Sequence, residues 1–300
     1  MKIPSNRVSS VIKYYREQLS GIYDKEEIEN FILYSFEAFM GFNRTDLVMR
    51  ANETMSESML LKFNFAVKDL KKRKPIQYIL GYTIFYGLKI KVDERVLIPR
   101  QETEELVSLV IKDQEARIKT QESVPGSQDN GIRILDIGTG SGCIPIALKK
   151  NLPSAQVDAL DVSQGALELA KENAIANDAA VRFIHTDILD PAAAGKVGKY
   201  NVIVSNPPYV LHSEKETMHA NVLENEPHLA LFVNDEDPLL FYRVIMSLAK
   251  TNLDPAGELY FEINEQQGDA LLKLAGEMGF SKVQLVKDIN SKNRILYVKS

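Results

Sequence analysis

The first quarter of the chain repeats its apolar positions with the period of an α-helix. Val8, Val11 and Tyr15 are spaced by three and four residues, which places them on one face of a helix. The same spacing returns over residues 28–39. The pattern predicts a helical domain over residues 1–75. It leaves open whether that domain docks a partner or only packs against the rest of the chain.

The next segment has the character of β-strands. Residues 82–98 are rich in aromatic and β-branched side chains and are interrupted by Gly87, a composition that favours a β-hairpin. A helix is predicted to begin near Pro99. Residues 119–131 are polar and contain proline and glycine, which indicates a linker or surface insertion. We therefore expect residues 76–131 to form a connector of hairpin, helix and linker.

Short apolar runs alternate with helical segments from residue 132 onward. Such alternation is typical of a parallel sheet with helices on both faces. The predicted strands are residues 133–137, 156–162, 181–187, 201–205, 258–263, 283–289 and 294–299. Only four residues separate the last two, too few for a crossover helix, so these strands should be antiparallel. We expect residues 132–300 to form one seven-stranded, doubly wound α/β domain.

Composition narrows the classes of function. The net charge of −5 argues against broad nucleic-acid binding, which needs a basic surface. The single cysteine, Cys143, excludes an internal disulfide, and the four histidines lack the spacings of a zinc site. No signal-like segment or run of about 20 apolar residues occurs. We expect a cytoplasmic monomer with no metal, no membrane association and no stable nucleic-acid partner.

A glycine-rich turn follows the first strand of the predicted sheet. Gly138, Gly140 and Gly142 occur at every second position, and glycine lets a backbone adopt positive φ and approach a ligand closely. The spacing differs from the G-x-G-x-x-G of dinucleotide sites, and alone it fits an ordinary tight turn. Asp161 ends the next strand, 21 residues beyond Gly140. A carboxylate there can accept hydrogen bonds from both hydroxyls of a ribose.

The third predicted strand also ends in a polar residue. Asp187 ends it within reach of an adenine amino group, and Ile188 can cover the base. Together these features predict a site for S-adenosylmethionine, with S-adenosylhomocysteine as product. Asp136 either supports the loop or meets the methionine ammonium group. The predicted cofactor-binding residues are Gly138, Thr139, Gly140, Ser141, Gly142, Asp161, Asp187, Ile188 and Asn206.

The sequence Asn206-Pro207-Pro208-Tyr209 follows the fourth strand. Neither proline carries an N–H, so neither can extend a sheet ladder. Asn206 offers a side-chain oxygen, and Pro207 offers a carbonyl that the following proline holds extended. Two such acceptors can receive both N–H bonds of one NH₂ group, while the Tyr209 ring lies on a planar amide or base. The alternative is a simple turn that ends the strand.

Methylation of an amide or aromatic amine needs such acceptors. The nitrogen is a poor nucleophile because its lone pair is delocalised, and it gains positive charge as it attacks a sulfonium methyl group. Preplaced acceptors stabilise that charge and align the nitrogen. The proton can leave to water, so no strong base is required. The predicted catalytic residues are Asn206, Pro207 and Tyr209, and the predicted substrate-binding residues are Asn206, Pro207, Pro208 and Tyr209.

These motifs, in this order, resemble the HemK/PrmC family of protein-(glutamine-N5) methyltransferases. The resemblance covers nearly the whole chain and is weakest over residues 1–70. It rests on the segments KPIQYILGYTIFYGLKIKVDERVLIPRQETEELV, ILDIGTGSGCIPIAL, VSNPPYV, ENEPHLALF, FEINEQQG and KDINSKNRILYVK. It implies a Rossmann-like methyltransferase sheet with a helical N-terminal domain and a β-hairpin connector.

The resemblance also implies an activity. The family transfers a methyl group from S-adenosylmethionine to the side-chain nitrogen N5 of the glutamine in the GGQ motif of peptide-chain release factors, the proteins of translation termination. Asn206 and Pro207 would grip the glutamine amide near the methyl group, Tyr209 would pack against it, and the N-terminal domain would help to dock the release factor.

The chain departs from the family pattern in three loops. Gln101 replaces the second proline of Pro-Arg-Pro-Glu-Thr, Asn225 replaces the tyrosine of Tyr-Glu-Pro, and Asn264 replaces the glycine of Glu-Ile-Gly. Arg100 and Glu102 flank the site by analogy, and ion pairing within the hairpin region is an equal alternative for them.

Two other functions stay open at this stage. The first is methylation of N6 of adenine or N4 of cytosine in nucleic acid, which uses the same Asn-Pro-Pro-Tyr tip; the acidic balance argues against it, since only residues 68–74 are basic. The second is a non-catalytic factor-binding module with a vestigial cofactor fold. The intact Asn206, glycine loop and Asp161 argue against that module.

Overall fold

The protein forms two compact units. The computed structural model describes residue 3 and residues 5–122 and 131–299. The first unit comprises Met1–Tyr82 and His219–Asn225, and the second comprises Thr83–Met218 and Glu226–Ser300. The boundaries predicted near residues 75 and 131 stay predictions.

Helices and strands are named in chain order. The described helices are α1 Val8–Leu19, α2 Lys25–Met40, α3 Arg44–Met49, α4 Glu57–Leu70, α5 Ile76–Leu80, α6 Gln101–Glu122, α7 Cys143–Asn151, α8 Gln164–Ala176, α9 Ala193–Lys196, α10 Ala220–Asn225, α11 His228–Leu231, α12 Leu240–Asn252 and α13 Gly268–Glu277. The described strands are β1 Tyr82–Phe85, β2 Leu88–Lys91, β3 Arg133–Ile137, β4 Gln156–Asp161, β5 Val181–His185, β6 Tyr200–Ser205, β7 Val210–Leu211, β8 Phe232–Val233, β9 Leu253–Glu262, β10 Lys282–Lys287 and β11 Asn293–Lys299. Within these described residues, no helix is both long and apolar enough to cross a membrane.

The first unit is helical because its local signals agree with its apolar spacing. Asp24 caps α2 by accepting a hydrogen bond from the Glu27 backbone N–H at 2.8 Å, and Gly41 ends the helix in the left-handed region at φ 68°. Phe36 and Phe63 are fully buried, and their ring centroids lie 4.5 Å apart. This aromatic core confirms the predicted helical character of the segment.

The second unit is built on a mixed sheet. Across the described strands, seven pair in the order β10-β11-β9-β6-β3-β4-β5. The five strands from β9 to β5 are parallel to one another, whereas β11 is antiparallel to both β9 and β10. The doubly wound α/β prediction and the antiparallel terminal pair are confirmed.

The strand order places a ligand crevice beside β3. The chain leaves β3 for β4 and β5 and then returns to β6 on the other side of β3. Ligands in open α/β sheets bind outside the carboxyl ends of the strands at such a reversal. Ile137 pairs with Leu160 of β4 and with Ser205 of β6, and the Ser205 hydroxyl donates to the Ile137 carbonyl at 2.7 Å. Residues that follow these strands therefore meet at one edge.

Burial stabilises the centre of this sheet. Ile134 and Leu135 of β3 and Val202 and Ile203 of β6 are 0% exposed. Full burial of each such side chain contributes about 1.5–3 kcal/mol. The core therefore holds the ends of β3 and β6 in a fixed relation.

Two predicted boundaries were wrong. The hairpin strands stop at Lys91, because Asp93 accepts hydrogen bonds from the Arg95 backbone and side chain and forms a turn. Helix α6 continues to Glu122, so the first four residues of the predicted linker at 119–131 are helical; no proline or glycine interrupts them. The rest of that prediction, residues 123–130, lies outside the described residues.

Candidate active site

A cavity of about 230 Å³ lies at the carboxyl ends of β3, β4 and β6, within the second unit. Among the described residues that line it are these ten predicted site residues: Gly138, Thr139, Gly140, Ser141, Asp161, Asp187, Ile188, Asn206, Pro207 and Pro208. Gly142 and Tyr209 are not among those that line it. The fold thus brings together segments that lie far apart in sequence.

The glycine loop leaves open space at the cavity wall. Gly138 and Gly140 have φ values of 76° and 53°, and a Cβ added at either would meet no atom within 4 Å. Gly142 differs: at φ 80° its added Cβ would lie 3.0 Å from the Ala170 Cβ. The first two glycines therefore keep room for a ligand, whereas Gly142 lets α7 approach α8 closely.

Asp161 joins the glycine loop to the end of β4. Its two carboxylate oxygens accept hydrogen bonds from the backbone N–H groups of Gly140 and Ser163, each at 2.8 Å. Burial raises the pKa of Asp161, and these bonds oppose the shift. Each oxygen retains acceptor capacity, so the carboxylate can still bind hydroxyl groups.

Asp136 is a buried carboxylate at the end of β3. It is 0% exposed, and neither of its oxygens has a hydrogen-bond partner among the described residues. Burial raises the pKa of Asp136 to about 7, and the nearby Thr139 hydroxyl opposes the shift only in part. Thr139 belongs to the glycine loop, so both predicted roles of Asp136, support of the loop and contact with the ammonium group, stay predictions. An unpaired buried carboxylate is costly unless a cation compensates it.

Asp187 and Ile188 follow β5 rather than ending it, since the strand stops at His185. The Asp187 side chain accepts a hydrogen bond from the Leu189 backbone N–H at 2.8 Å. This bond fixes a turn that holds Asp187 and Ile188 at the cavity wall.

The Asn206 amide belongs to a chain of hydrogen bonds that is buried at its centre and partly buried at its ends. Its Nδ2 donates to the Thr103 hydroxyl at 3.2 Å, and that hydroxyl donates to a Glu262 carboxylate oxygen at 2.6 Å. The other Glu262 oxygen accepts from the Tyr209 hydroxyl at 3.2 Å. Tyr209 thus contacts Glu262, and its ring packs against the core of the sheet. Its predicted contact with a planar substrate stays a prediction.

The sequence analysis did not identify Thr103 and Glu262 as site residues. Both are buried, and burial raises the pKa of Glu262, opposed in part by the Thr103 and Tyr209 hydrogen bonds. One signal for Glu262 was present: it is a charged residue at the carboxyl end of an apolar strand, LYFEI, as Asp136 and Asp161 are.

Arg100 pairs with Glu226, not with a residue of the hairpin region. Its Nη2 donates to one Glu226 oxygen at 2.6 Å, and the other oxygen accepts the Ile98 backbone N–H at 3.0 Å. The Glu226 side chain is 1% exposed. This pair fixes the segment before α6, which carries Thr103. Glu102 lies near enough to Glu262 to raise its pKa.

These residues fit S-adenosylmethionine. The open space over Gly138 and Gly140 admits a backbone-hugging ligand, and the unpaired Asp136 carboxylate suits a cationic group. Asp161 suits ribose hydroxyls. Among residues 3, 5–122 and 131–299, no three His, Cys, Asp or Glu side chains are grouped to hold a metal ion.

The fold and this cavity define a Rossmann-like, S-adenosylmethionine-dependent class of methyltransferases. Residues 124–231 match the family model described as the methyltransferase small domain, and residues 10–81 match the PrmC N-terminal domain. A solved structure of the hMettl16 catalytic domain in complex with a 3′UTR hairpin superposes with a TM-score of 0.51 at 16% identity, and the match covers 81% of each chain. That likeness concerns the fold alone.

Relatives of known name identify the family. A release factor glutamine methyltransferase of Flavobacterium psychrophilum is 46% identical over 96% of this chain and 99% of its own. One from Bacteroides thetaiotaomicron is 43% identical over 97% and 98%. The chain belongs to the release factor glutamine methyltransferase family, which confirms the resemblance stated above.

Proposed function

We propose that this protein transfers a methyl group from S-adenosylmethionine to the side-chain nitrogen N5 of the glutamine in the GGQ motif of peptide-chain release factors. Membership of the family supports the substrate. The observation that carries the chemistry is the Asn206 side chain, which lines the cavity together with the glycine loop and donates from its Nδ2 to Thr103, so that its oxygen is left to accept.

Different residues of the cavity would hold different parts of the cofactor. S-adenosylmethionine supplies an activated methyl group on a sulfonium sulfur. The loop from Gly138 to Ser141 lines the space for its amino-acid part, and the buried Asp136 carboxylate complements the ammonium charge. Asp161 accepts hydrogen bonds from the ribose hydroxyls, while Asp187 and Ile188 bind the adenine.

Asn206 and Pro207 hold the reacting amide. The Asn206 oxygen and the Pro207 carbonyl accept the two N–H bonds of the glutamine side chain and fix its nitrogen. As the nitrogen becomes cationic its N–H groups become stronger donors, so both acceptors stabilise the transition state more than the ground state. The displaced proton leaves to water. Tyr209 supports this tip through its hydrogen bond to Glu262.

The test is mass spectrometry of a release factor incubated with the protein and S-adenosylmethionine. We expect one added methyl group on the glutamine of the GGQ peptide. Asn206→Ala should lower the rate at least about 100-fold, the order found when a preorganised transition-state contact is removed. Its affinity for S-adenosylhomocysteine, measured by calorimetry, should change little.

A matched control is Asn234→Ala, since Asn234 is exposed and its side chain accepts the Glu236 N–H within its own turn. It should methylate like the unmodified protein. Label found only on added DNA or RNA would overturn the proposal in favour of a nucleic-acid amino-methyltransferase. Unchanged turnover by Asn206→Ala would refute the role given to Asn206. The docking role predicted for residues 1–75 stays a prediction.

A further inference from the structure

We infer that Thr103 and Glu262 are positioning residues, which determine which end of the Asn206 amide faces the substrate. The inference deepens the proposed function and rests on it, because the direction of the amide matters only if the substrate presents an NH₂ group. The three side chains come from α6, β9 and the tip after β6, so the strand order itself brings them together.

The direction follows from counting protons. Both Glu262 oxygens accept hydrogen bonds, from the Thr103 and Tyr209 hydroxyls, and these two groups and Arg294 oppose the effect of burial on the Glu262 pKa. We therefore assign Glu262 as an ionised carboxylate, which only accepts hydrogen bonds, whereas a threonine hydroxyl has a single proton to donate. The 2.6 Å bond to Glu262 uses that proton. Toward Asn206 the Thr103 oxygen can therefore only accept, so the Asn206 group that faces it at 3.2 Å must be the NH₂. The Asn206 oxygen is thereby directed away from Thr103.

The chain of bonds is held in place at its far end. Glu262 is 1% exposed and Thr103 is 3% exposed, so water does not compete for their hydrogen bonds. The second Glu262 oxygen accepts the Tyr209 hydroxyl, and the Tyr242 hydroxyl donates to the Glu262 backbone carbonyl at 3.1 Å. Buried polar networks whose members are all paired are rigid. Glu262 therefore cannot turn away from Thr103 without losing several bonds.

A reversed amide would oppose the reaction. It would present an NH₂ group to the NH₂ group of the substrate, so an acceptor of the transition-state charge would become a repelling donor. Without the Thr103 hydroxyl, both directions of the Asn206 amide become accessible. Thr103 lines the cavity, and Glu262 is not among the described lining residues; in this inference both act on the reaction through Asn206.

The first experiment compares Thr103→Val with Thr103→Ser in the release-factor assay. Valine keeps the shape of threonine without the hydroxyl, and serine keeps the hydroxyl. We expect Thr103→Val to lower kcat about ten-fold, the order of magnitude of one lost hydrogen bond, with KM for the release factor within about two-fold. Thr103→Ser should restore kcat to within about two-fold of the unmodified protein. Equal kcat values for the valine and serine variants would overturn the inference.

A second comparison separates orientation from general support of the fold. In Asn206→Asp the residue at position 206 has two equivalent oxygens, so no reversal exists. Adding Thr103→Val to Asn206→Asp should then change kcat less than about two-fold. A full ten-fold loss in that background would show that Thr103 acts independently of the amide and would refute the inference.

A third measurement needs neither activity nor a variant. In the unmodified protein, with Asn206 labelled in its side-chain amide, NMR should show an Asn206 NH₂ proton close to the Thr103 methyl group and slow to exchange with water. Absence of that contact would contradict the assigned direction even if the variants failed to fold. If the unmodified protein leaves release factors unmethylated, the proposed function fails, while this measurement still decides the direction of the amide.

Discussion

Replacing Asp136 with asparagine should change how the stability of the cofactor-free protein depends on pH. The Asp136 carboxyl is fully buried and its oxygens are unpaired among the described residues, and its pKa is raised from 3.8 to about 7. Between these values the folded state binds a proton that the unfolded state has released. The contribution of Asp136 to the free energy of unfolding is therefore fully present at acid pH and is lost as the pH rises toward 7.

The size of the effect follows from the shift. Each pKa unit corresponds to about 1.4 kcal/mol. Between pH 5 and the folded pKa of about 7, only the folded state keeps this proton. Across these two pH units, the free energy of unfolding should fall by about 3 kcal/mol because of Asp136. The asparagine side chain of the variant does not titrate. A buried, unpaired amide costs about 1–3 kcal/mol, but that cost is the same at every pH and does not alter the slope.

The assay is urea unfolding of both proteins at pH 5, 6, 7 and 8 without cofactor. The free-energy difference between Asp136→Asn and the unmodified protein should move by about 3 kcal/mol in favour of the variant across this range. Asp190→Asn is the control: hydrogen bonds from the Ala192 N–H and Lys196 lower the pKa of Asp190, so its difference should stay flat. Parallel pH profiles for Asp136→Asn and the unmodified protein would refute the account of this carboxylate.

Two further predictions concern stability and use the same unfolding assay. Gly142→Ala should lower the free energy of unfolding by at least about 2 kcal/mol, because it combines a positive φ with a contact of 3.0 Å. The control Gly198→Ala meets no atom within 4 Å and should lower it by less than about 1 kcal/mol. Equal losses would contradict the packing role of Gly142. Arg100→Met should cost about 3 kcal/mol, because it leaves the buried Glu226 carboxylate without its cation. Arg95→Met, which breaks a pair exposed by about a third, should cost at most about 1 kcal/mol, and a similar loss in both arginine variants would show that burial of Glu226 does not matter.

Local signals made most of the fold predictable. Alternating apolar runs, the glycines that follow β3 and the two prolines after β6 each act within a few residues of chain. Signals of this range also led to the wrong boundaries of the hairpin and of α6. The hairpin ends early because the Asp93–Arg95 turn is formed by hydrogen bonds to the Asp93 side chain, which apolar periodicity does not detect.

The supporting contacts of the site were beyond the sequence. Thr103 and Glu262 are 159 residues apart, and Arg100 and Glu226 are 126 apart. Whether such pairs meet depends on the order of the strands and on the path of the segment before α6. The pattern of residues along the chain shows neither the strand order nor this path. The sequence analysis therefore identified Asn206 and the Gly138 loop but not the residues that contact Asn206.

The pairing of Ile137 with Ser205 sets the spacing between the proposed cofactor loop and the proposed substrate tip. The loop that begins at Gly138 and the tip that begins at Asn206 are each one residue beyond the same rung, so their spacing is measured by a hydrogen-bond ladder and not by flexible loops. Surrounding helices can therefore be redesigned to admit a different nitrogen without resetting the methyl-transfer gap. One residue inserted into β3 would instead shift the Gly138 loop to the opposite face, and one inserted into β6 would shift the Asn206 tip, so either should end the proposed methyl transfer while much of the sheet stays intact.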